Sequence, residues 1–543
     1  MDPIVETRQG AVRGRFTDGV YSFKGVPCAA PPFGPNRLQP PQPVEPWSGL
    51  RDALAFGPKS PQSAYPPVVA MILPEFVGSG EDCLTLNIWS GDLGSANQPV
   101  MVWIPGGLFE YHGTSACPWY DGTQFACDGV VCVTINYRTG AEGFLYVEHS
   151  VANRGPLDQI GALRWVQENI AGFGGDPGNV TIFGESAGAL SIGTVLAMPR
   201  AQGLFHRAIV QSGGAQHVSS GETGRRLARY IADKLGVEAT LEAVAAIPPE
   251  RLLAAQEALR DDLMADPDPA RWGEVANTTL PWQPVVDGET IPGPPLERIA
   301  AGASAGISLT VGSNTKEWRL FVLPDLIDQI TPEMLAGTIT VFGLRVDAAL
   351  AVYRAEHPDA SPGDLFAAVM TDRYWRIPAT HLADAHARNS LDTFTYEFAW
   401  RSPAFDGRLG ACHALEIPFV FGTLGHATEP LMGSDPPQHL AESMHAAWVA
   451  FAAHGDPGWP RYDLDRRVTM HFDTESACVI DPLAAKRKLW EGVRSPRAMT
   501  LTPALSPNSG RGALHRPGSP NHSTPSPRGF DRSRVIRAFR RAT

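Results

Sequence analysis

The sequence predicts an α/β protein in which a mostly parallel central sheet carries helices on both faces. Two observations lead there. Short apolar strand-like runs alternate with helical stretches along most of the chain, the pattern of a sheet buried on both sides. At residues 179–190 a strand (Val180, Ile182, Phe183) turns abruptly into an Ala- and Leu-rich helix through Gly184-Glu185-Ser186-Ala187-Gly188.

The elements follow in order. Residues 4–26 alternate around turns at Gly10 and Asp18-Gly19 and read as an antiparallel meander. Residues 27–67, crowded with proline and glycine, read as an irregular covering loop. Strands are expected at 84–89, at 99–104 (ending in Pro105-Gly106-Gly107) and at 130–137. Ile160, Leu163, Val166 and Ile170 have helical spacing. Asp176-Pro177-Gly178 punctuates the turn into the Ser186 strand, and Pro199 closes the helix begun at Ala187. Further strands are expected at 205–211, 307–311 and 393–400, a long helix at 437–454, and two short strands near 468–480. Residues 222–265 and 325–390 read as helical cap insertions. Residues 1–490 thus form one domain. Residues 491–543, rich in Pro, Ser and Arg, read as a disordered basic tail, a solvated extension whose charge would suit nucleic acid or anionic lipid.

Composition excludes several classes. A net charge of -12 over 543 residues argues against nucleic acid as partner of the folded domain. No apolar run reaches membrane-spanning length, and residues 1–6 show no secretory leader, so a cytoplasmic location is expected. The seven cysteines are scattered, with no Cys-x-x-Cys pair, which fits neither a zinc site nor a disulfide framework. No metal or cofactor is called for.

Gly-x-Ser-x-Gly alone is weak, and the chain carries a second copy at Gly302-Ala303-Ser304-Ala305-Gly306. That copy follows a helix and precedes a strand, the reverse of a nucleophile elbow, so context selects Ser186 and rejects Ser304. A serine nucleophile needs a base. His413 stands in a loop just after the 393–400 strand, where functional residues of parallel sheets converge. The base needs a carboxylate. Glu317, shortly after the 307–311 strand, supplies it in the order Ser, Glu, His, that of α/β-hydrolases; Glu416 is the rival, more apt to anchor its own loop. Oxyanion donors are expected at the backbone of Ala187 and in the turn Gly106-Gly107-Leu108-Phe109.

With these residues on view, the chain resembles the type-B carboxylesterase family, which includes para-nitrobenzyl esterases and cholinesterases. The resemblance runs from about residue 3 to 485. It rests on Phe23-Lys24-Gly25-Val26-Pro27, Glu81-Asp82-Cys83-Leu84-Thr85-Leu86-Asn87, Trp103-Ile104-Pro105-Gly106-Gly107, Leu157-Asp158-Gln159, Phe173-Gly174-Gly175-Asp176-Pro177, Gly184 to Gly188, and His413 through Phe421-Gly422. It implies an α/β-hydrolase fold and hydrolysis of small carboxylic esters by a monomer or homodimer. It also implies Ser186 as nucleophile, Glu317 as acid, His413 as base, oxyanion donors at Gly107, Leu108 and Ala187, and a supporting Ser212. Structural ion pairs Arg37–Glu81 and Arg138–Asp176 are implied as well. The chain departs from the family at Pro105 (usually His), Leu108 (usually Gly), Lys316-Glu317 (usually an acidic pair) and Trp318 (usually Gly). Ser60 stands where secreted members pair a cysteine with the one matching Cys83, so Cys83 is expected to be free. Residues 68–80 lack the tryptophan with which cholinesterases stack a cation. A lipase, thioesterase or amidase on the same residues, or a binding module that has lost catalysis, are the alternatives.

Overall fold

The computed structural model describes residues 2–65, 70, 78–95, 97–111, 113–322, 326–390 and 392–493. From residue 494 on, the expected basic tail lies outside the described residues. So does most of the segment 68–80 on which choline specificity was judged.

The central sheet comprises β1 (Arg15–Thr17), β2 (Val20–Pro27), β3 (Thr85–Ser90), β4 (Gln98–Ile104), β5 (Val131–Ile135), β6 (Gly175–Glu185), β7 (Arg207–Gln211), β8 (Ser308–Asn314), β9 (Thr393–Phe398), β10 (Val468–Phe472) and β11 (Ala477–Ile480). Their order across the sheet is β11-β10-β9-β8-β7-β6-β4-β5-β3-β2-β1. From β5 across to β10 every pairing is parallel. The strands added outside that block pair antiparallel. The expected meander divides. Ile4–Glu6 and Ala11–Arg13 leave the main sheet and join Leu50–Asp52, a strand inside the stretch read as irregular loop.

Side chains of the parallel strands alternate between two cores, as the two-residue period requires. Val100, Val102, Ile104, Val131, Val133, Val180, Ile182, Ala208 and Val210 enter one core. There they meet the helices Arg154–Asn169, Ala187–Val195, Gly221–Leu235 and Pro249–Ala265. Met101, Trp103, Cys132, Phe183, Ile209, Phe394, Tyr396 and Phe398 enter the other, with the helices Gln438–His454 and Pro362–Thr371. Local chemistry sets the helix ends. Ser220 accepts from the N–H of Thr223 at the start of Gly221–Leu235, and Gly236 closes it at φ 70°. Ser361 and Asp364 form a reciprocal capping box ahead of Pro362–Thr371. Among the described residues no single helix is long and apolar enough to cross a membrane.

Two expected ion pairs are corrected. Arg138 pairs with Asp158, Nε and Nη2 donating at 2.8 and 2.7 Å, both side chains fully buried. Asp176 could not serve: it lies at the amino end of β6, whereas Arg138 follows the carboxyl end of the co-parallel β5. Arg37 pairs with Glu142 at 2.6 Å. Its guanidinium is buried beneath Ala245 and Ile247, whose carbonyls it also binds, while Glu81 is exposed. All seven cysteines are free thiols. Cys83 is buried, as is Ser60.

Candidate active site

The site lies at the carboxyl end of the parallel strands, where chain direction across the sheet reverses: β5 adds to one side of β4 and β6 to the other. The register Ile104↔Gly184 brings the turns leaving β4 and β6 side by side. Ser186 occupies the β6 turn at φ 56°, ψ −123°, with its N–H donating to Gln211 O at 3.0 Å. Its flanking glycines are required by contact. A Cβ at Gly184 would stand 2.5 Å from Ile104 O, and one at Gly188 1.9 Å from the same atom. The elbow is therefore pressed against the end of β4, and any side chain at either position would push them apart. Ser304 sits at the opposite edge, in the turn before the amino end of β8.

Glu317 and His413 meet in a hydrogen bond of 2.6 Å from Nδ1 to Oε2. The other carboxylate oxygen of Glu317 accepts the N–H of Asn314, the last residue of β8, at 2.7 Å. The two loops are strapped together: Lys316 N–H donates to Ala411 O, His413 N–H to Glu317 O, and Asn314 Nδ2 to Cys412 O. A carboxylate only accepts, so the bond from Nδ1 leaves Nε2 as the nitrogen that exchanges a proton. Trp375 and Phe321, stacked on each other at 5.6 Å, both pack against the imidazole, with ring centroids 4.6 and 5.5 Å from it. Trp375 belongs to a π-helical turn, Asp372–Arg376, an irregularity that recurs at functional sites.

The rival Glu416 binds Asn314 Nδ2 at 2.6 Å and Gln211 Nε2 at 3.3 Å, tying the His413 loop to β7 and β8. Burial, then the nearby Glu317, pushes its carboxyl up to about 7. Sequence reasoning missed Glu185, although it lies inside the Gly-x-Ser-x-Gly motif. Its Oε1 is 3.1 Å from His413 Nε2 without hydrogen-bond alignment. Burial lowers His413, but the charges of Glu185 and Glu317 outweigh it and raise the imidazole to about 9. Burial holds Glu185 itself well above the usual carboxylate range. Ser212 follows β7 at φ 56°, fully buried, its N–H on Gly312 O and its hydroxyl without a hydrogen-bond partner.

Opposite Ser186 runs the turn after β4. Gly106 faces the elbow so closely that a Cβ there would lie 2.9 Å from Glu185 O and 3.1 Å from Ser186 Cβ. Gly107 takes φ 111°, Leu108 φ 57° and Phe109 φ 60°. Glu110 and Tyr111 N–H groups close the turn on Gly107 O at 3.1 and 2.8 Å, and the Tyr137 hydroxyl donates to Pro105 O at 2.9 Å. Ala187 is the first residue of its helix, so its N–H has no acceptor within the helix. Ser186, His413, Glu185, Gly106, Gly107, Leu108 and Ala187 line one cavity of about 140 Å³. Its remaining wall is rich in aromatic side chains, among them Tyr65, Trp119, Trp318, Phe321, Tyr374 and Trp375.

A crossed-over parallel sheet with a serine elbow at its switch point and a carboxylate–histidine pair from later strands defines an α/β-hydrolase. A sequence model of the Carboxylesterase family matches residues 1–488. The para-nitrobenzyl esterase of Bacillus subtilis is 37% identical over 509 residues, covering 89% of this chain and 98% of that protein. The phenmedipham hydrolase of Pseudarthrobacter oxydans is 35% identical, covering 89% and 97%. Among solved structures, a Geobacillus stearothermophilus carboxylesterase superposes with TM-score 0.77 at 37% identity, covering 90% of this chain and 100% of that one. A PNB esterase superposes with TM-score 0.78 at 34% identity, covering 90% and 99%. The chain belongs to the carboxylesterase family and is a carboxylic ester hydrolase.

Proposed function

We propose that this enzyme cleaves esters through an acyl-enzyme on Ser186, with His413 as base, Glu317 as its orienting acid, and the backbone N–H groups of Gly107, Leu108 and Ala187 as oxyanion donors. The observation that carries this reading is the 2.6 Å bond between His413 and Glu317 in the wall of the cavity that also holds Ser186. His413 Nε2 accepts the Ser186 proton as Oγ bonds to the ester carbonyl carbon, whose oxygen becomes the oxyanion. The carbonyl re-forms, the C–O bond to the alcohol breaks, and the alcohol leaves with the proton from Nε2. Water then repeats the sequence on the acyl-enzyme and frees the acid. Gly106 lets the donor turn approach the elbow, and Ser212 backs the elbow from β7.

The cavity selects compact, apolar substrates. A cavity of about 150 Å³ takes up a benzene ring, so about 140 Å³ suits a short acyl chain or a single aromatic ring. The aromatic wall and the name of the para-nitrobenzyl esterase relative both favour aryl or arylmethyl esters over long-chain lipids. Replacing Ser186 with Ala tests the assignment: p-nitrophenyl acetate hydrolysis should fall by at least about 10³-fold. Labelling of the wild type by a fluorophosphonate should disappear with it. Hydrolysis at the wild-type rate in Ser186→Ala overturns the reading.

A further inference from the structure

The cavity wall also carries an ion pair that reaches from the helix Pro249–Ala265 to the turn after β4. Arg260 Nη1 donates to Glu110 Oε1 at 2.9 Å and to the Tyr111 hydroxyl, and the guanidinium lies 5.5 Å from the Tyr111 ring. Glu110 and Tyr111 are the residues whose N–H groups close the turn on Gly107 O. One helical turn before Arg260, Gln256 Nε2 donates to Glu110 Oε1 at 3.4 Å, and its Oε1 accepts Ala141 N–H at 2.8 Å. Gly140 N–H in turn donates to Phe109 O at 2.7 Å. The helix thus holds the turn from both sides of Leu108-Phe109.

That turn needs holding. Leu108 and Phe109 are consecutive non-glycine residues at positive φ, a conformation that side chains disfavour and that persists where surrounding contacts impose it. The clamp is largely shielded from water, with Glu110 side chain 4% and Arg260 22% exposed.

We propose that Arg260 is a positioning residue: through Glu110 and Tyr111 it fixes Leu108 and Phe109 in the left-handed conformation that aims the Gly107 and Leu108 N–H groups at the reacting carbonyl. This rests on the oxyanion assignment above. Direct recognition of a substrate anion by Arg260 fits less well. Its Nη1 is already taken by Glu110 Oε1 and the Tyr111 hydroxyl.

The test is steady-state kinetics of Arg260→Gln on p-nitrophenyl acetate, together with inhibition by a trifluoromethyl ketone, whose serine adduct places an oxyanion among the donors. We expect kcat to fall between about tenfold and a hundredfold with KM changed less than about threefold, since a misplaced donor is felt in the transition state alone. Ketone affinity should fall with kcat, and Arg260→Lys, which keeps a cation on Glu110, should recover part of both. A kcat within about twofold of wild type, or equal weakening of ketone and substrate, overturns the proposal. If Arg260→Gln does not fold, Tyr111→Phe removes one partner of the clamp; the same split at smaller amplitude supports the proposal, and unchanged kcat overturns it. Ser186→Ala separates the two levels. Activity surviving in it removes the underlying assignment, whereas an inactive Ser186→Ala beside a normal Arg260→Gln removes only the clamp.

Discussion

Ser186 at φ 56° and Leu108 at φ 57° face each other across the site in backbone conformations that non-glycine residues avoid. At Ser186 the turn lifts the hydroxyl clear of the sheet. At Leu108 a side chain lines the cavity beside Ser186, at a position where the family resemblance implied glycine. Leu108→Gly should therefore raise kcat/KM for p-nitrophenyl butyrate relative to acetate by roughly tenfold, the scale of a methylene or two in an apolar pocket. A pair of progress curves at low substrate checks it, and an unchanged ratio places the restriction elsewhere. Glu185 acts on charge rather than shape. With His413 as the proposed base, catalysis needs the neutral imidazole, so activity should rise with pH through its pKa, which the carboxylates of Glu185 and Glu317 hold above the usual histidine range. Glu185→Gln removes whatever charge Glu185 keeps against the burial that holds its carboxyl up. The acidic limb of the kcat/KM profile should move to lower pH, and a limb that stays in place would show that Glu185 is uncharged when His413 titrates.

Among the elements, the elbow depends on two strands meeting. Gly188→Ala would set a methyl 1.9 Å from Ile104 O, so the turn and β4 cannot both keep their places. A loss of about 3 kcal/mol or more is expected in urea denaturation, with activity lost in the folded fraction. The buried pair Arg138–Asp158 likewise joins the end of β5 to the helix Arg154–Asn169. Asp158→Asn leaves a buried guanidinium short of its charge and should cost about 3–5 kcal/mol. Asp176→Asn, at the exposed turn where its side chain accepts from Gly178 N–H, should cost about 0.5 kcal/mol or less. Comparing the two midpoints distinguishes the partner seen here from the one that the sequence suggested.

At the scale of the whole molecule, the cavity is assembled from segments between Tyr65 and Ile417, and on the proposed function its small volume should limit what reaches Ser186. Rates on p-nitrophenyl esters from acetate to palmitate should fall steeply beyond short chains; a maximum at long chains would mark a lipase. Much of this architecture was legible beforehand. Strands buried on both faces are apolar without interruption, and a strand ending in Gly-x-Ser-x-Gly before a helix is a local signal, so β4 to β9 followed from the chain alone, as did the nomination of Ser186, Glu317 and His413 that the proposal rests on. Glu416 could be set aside for a related reason: three residues from His413, it anchors its own loop, through Asn314 and Gln211.

The rest belonged to tertiary structure, because it depends on which strand ends and helices meet. Asp158 and Asp176 are both acidic and both near in sequence to Arg138, yet only the position of a helix over the sheet tells them apart. Glu185 sat inside the motif, but its effect on His413 appears only when β9's following loop folds back over β6. Leu50–Asp52 became a strand because Ala11–Arg13 offered it an edge. Nothing in residues 249–265 announced Arg260, a charged residue on an otherwise ordinary helix. By itself the sequence determined the fold class and nominated the three residues proposed for the chemistry, through local pattern and chain order; the departure at Leu108 came from the family resemblance. Tertiary structure alone decided how tightly those residues are held, since partners distant in sequence are chosen by packing.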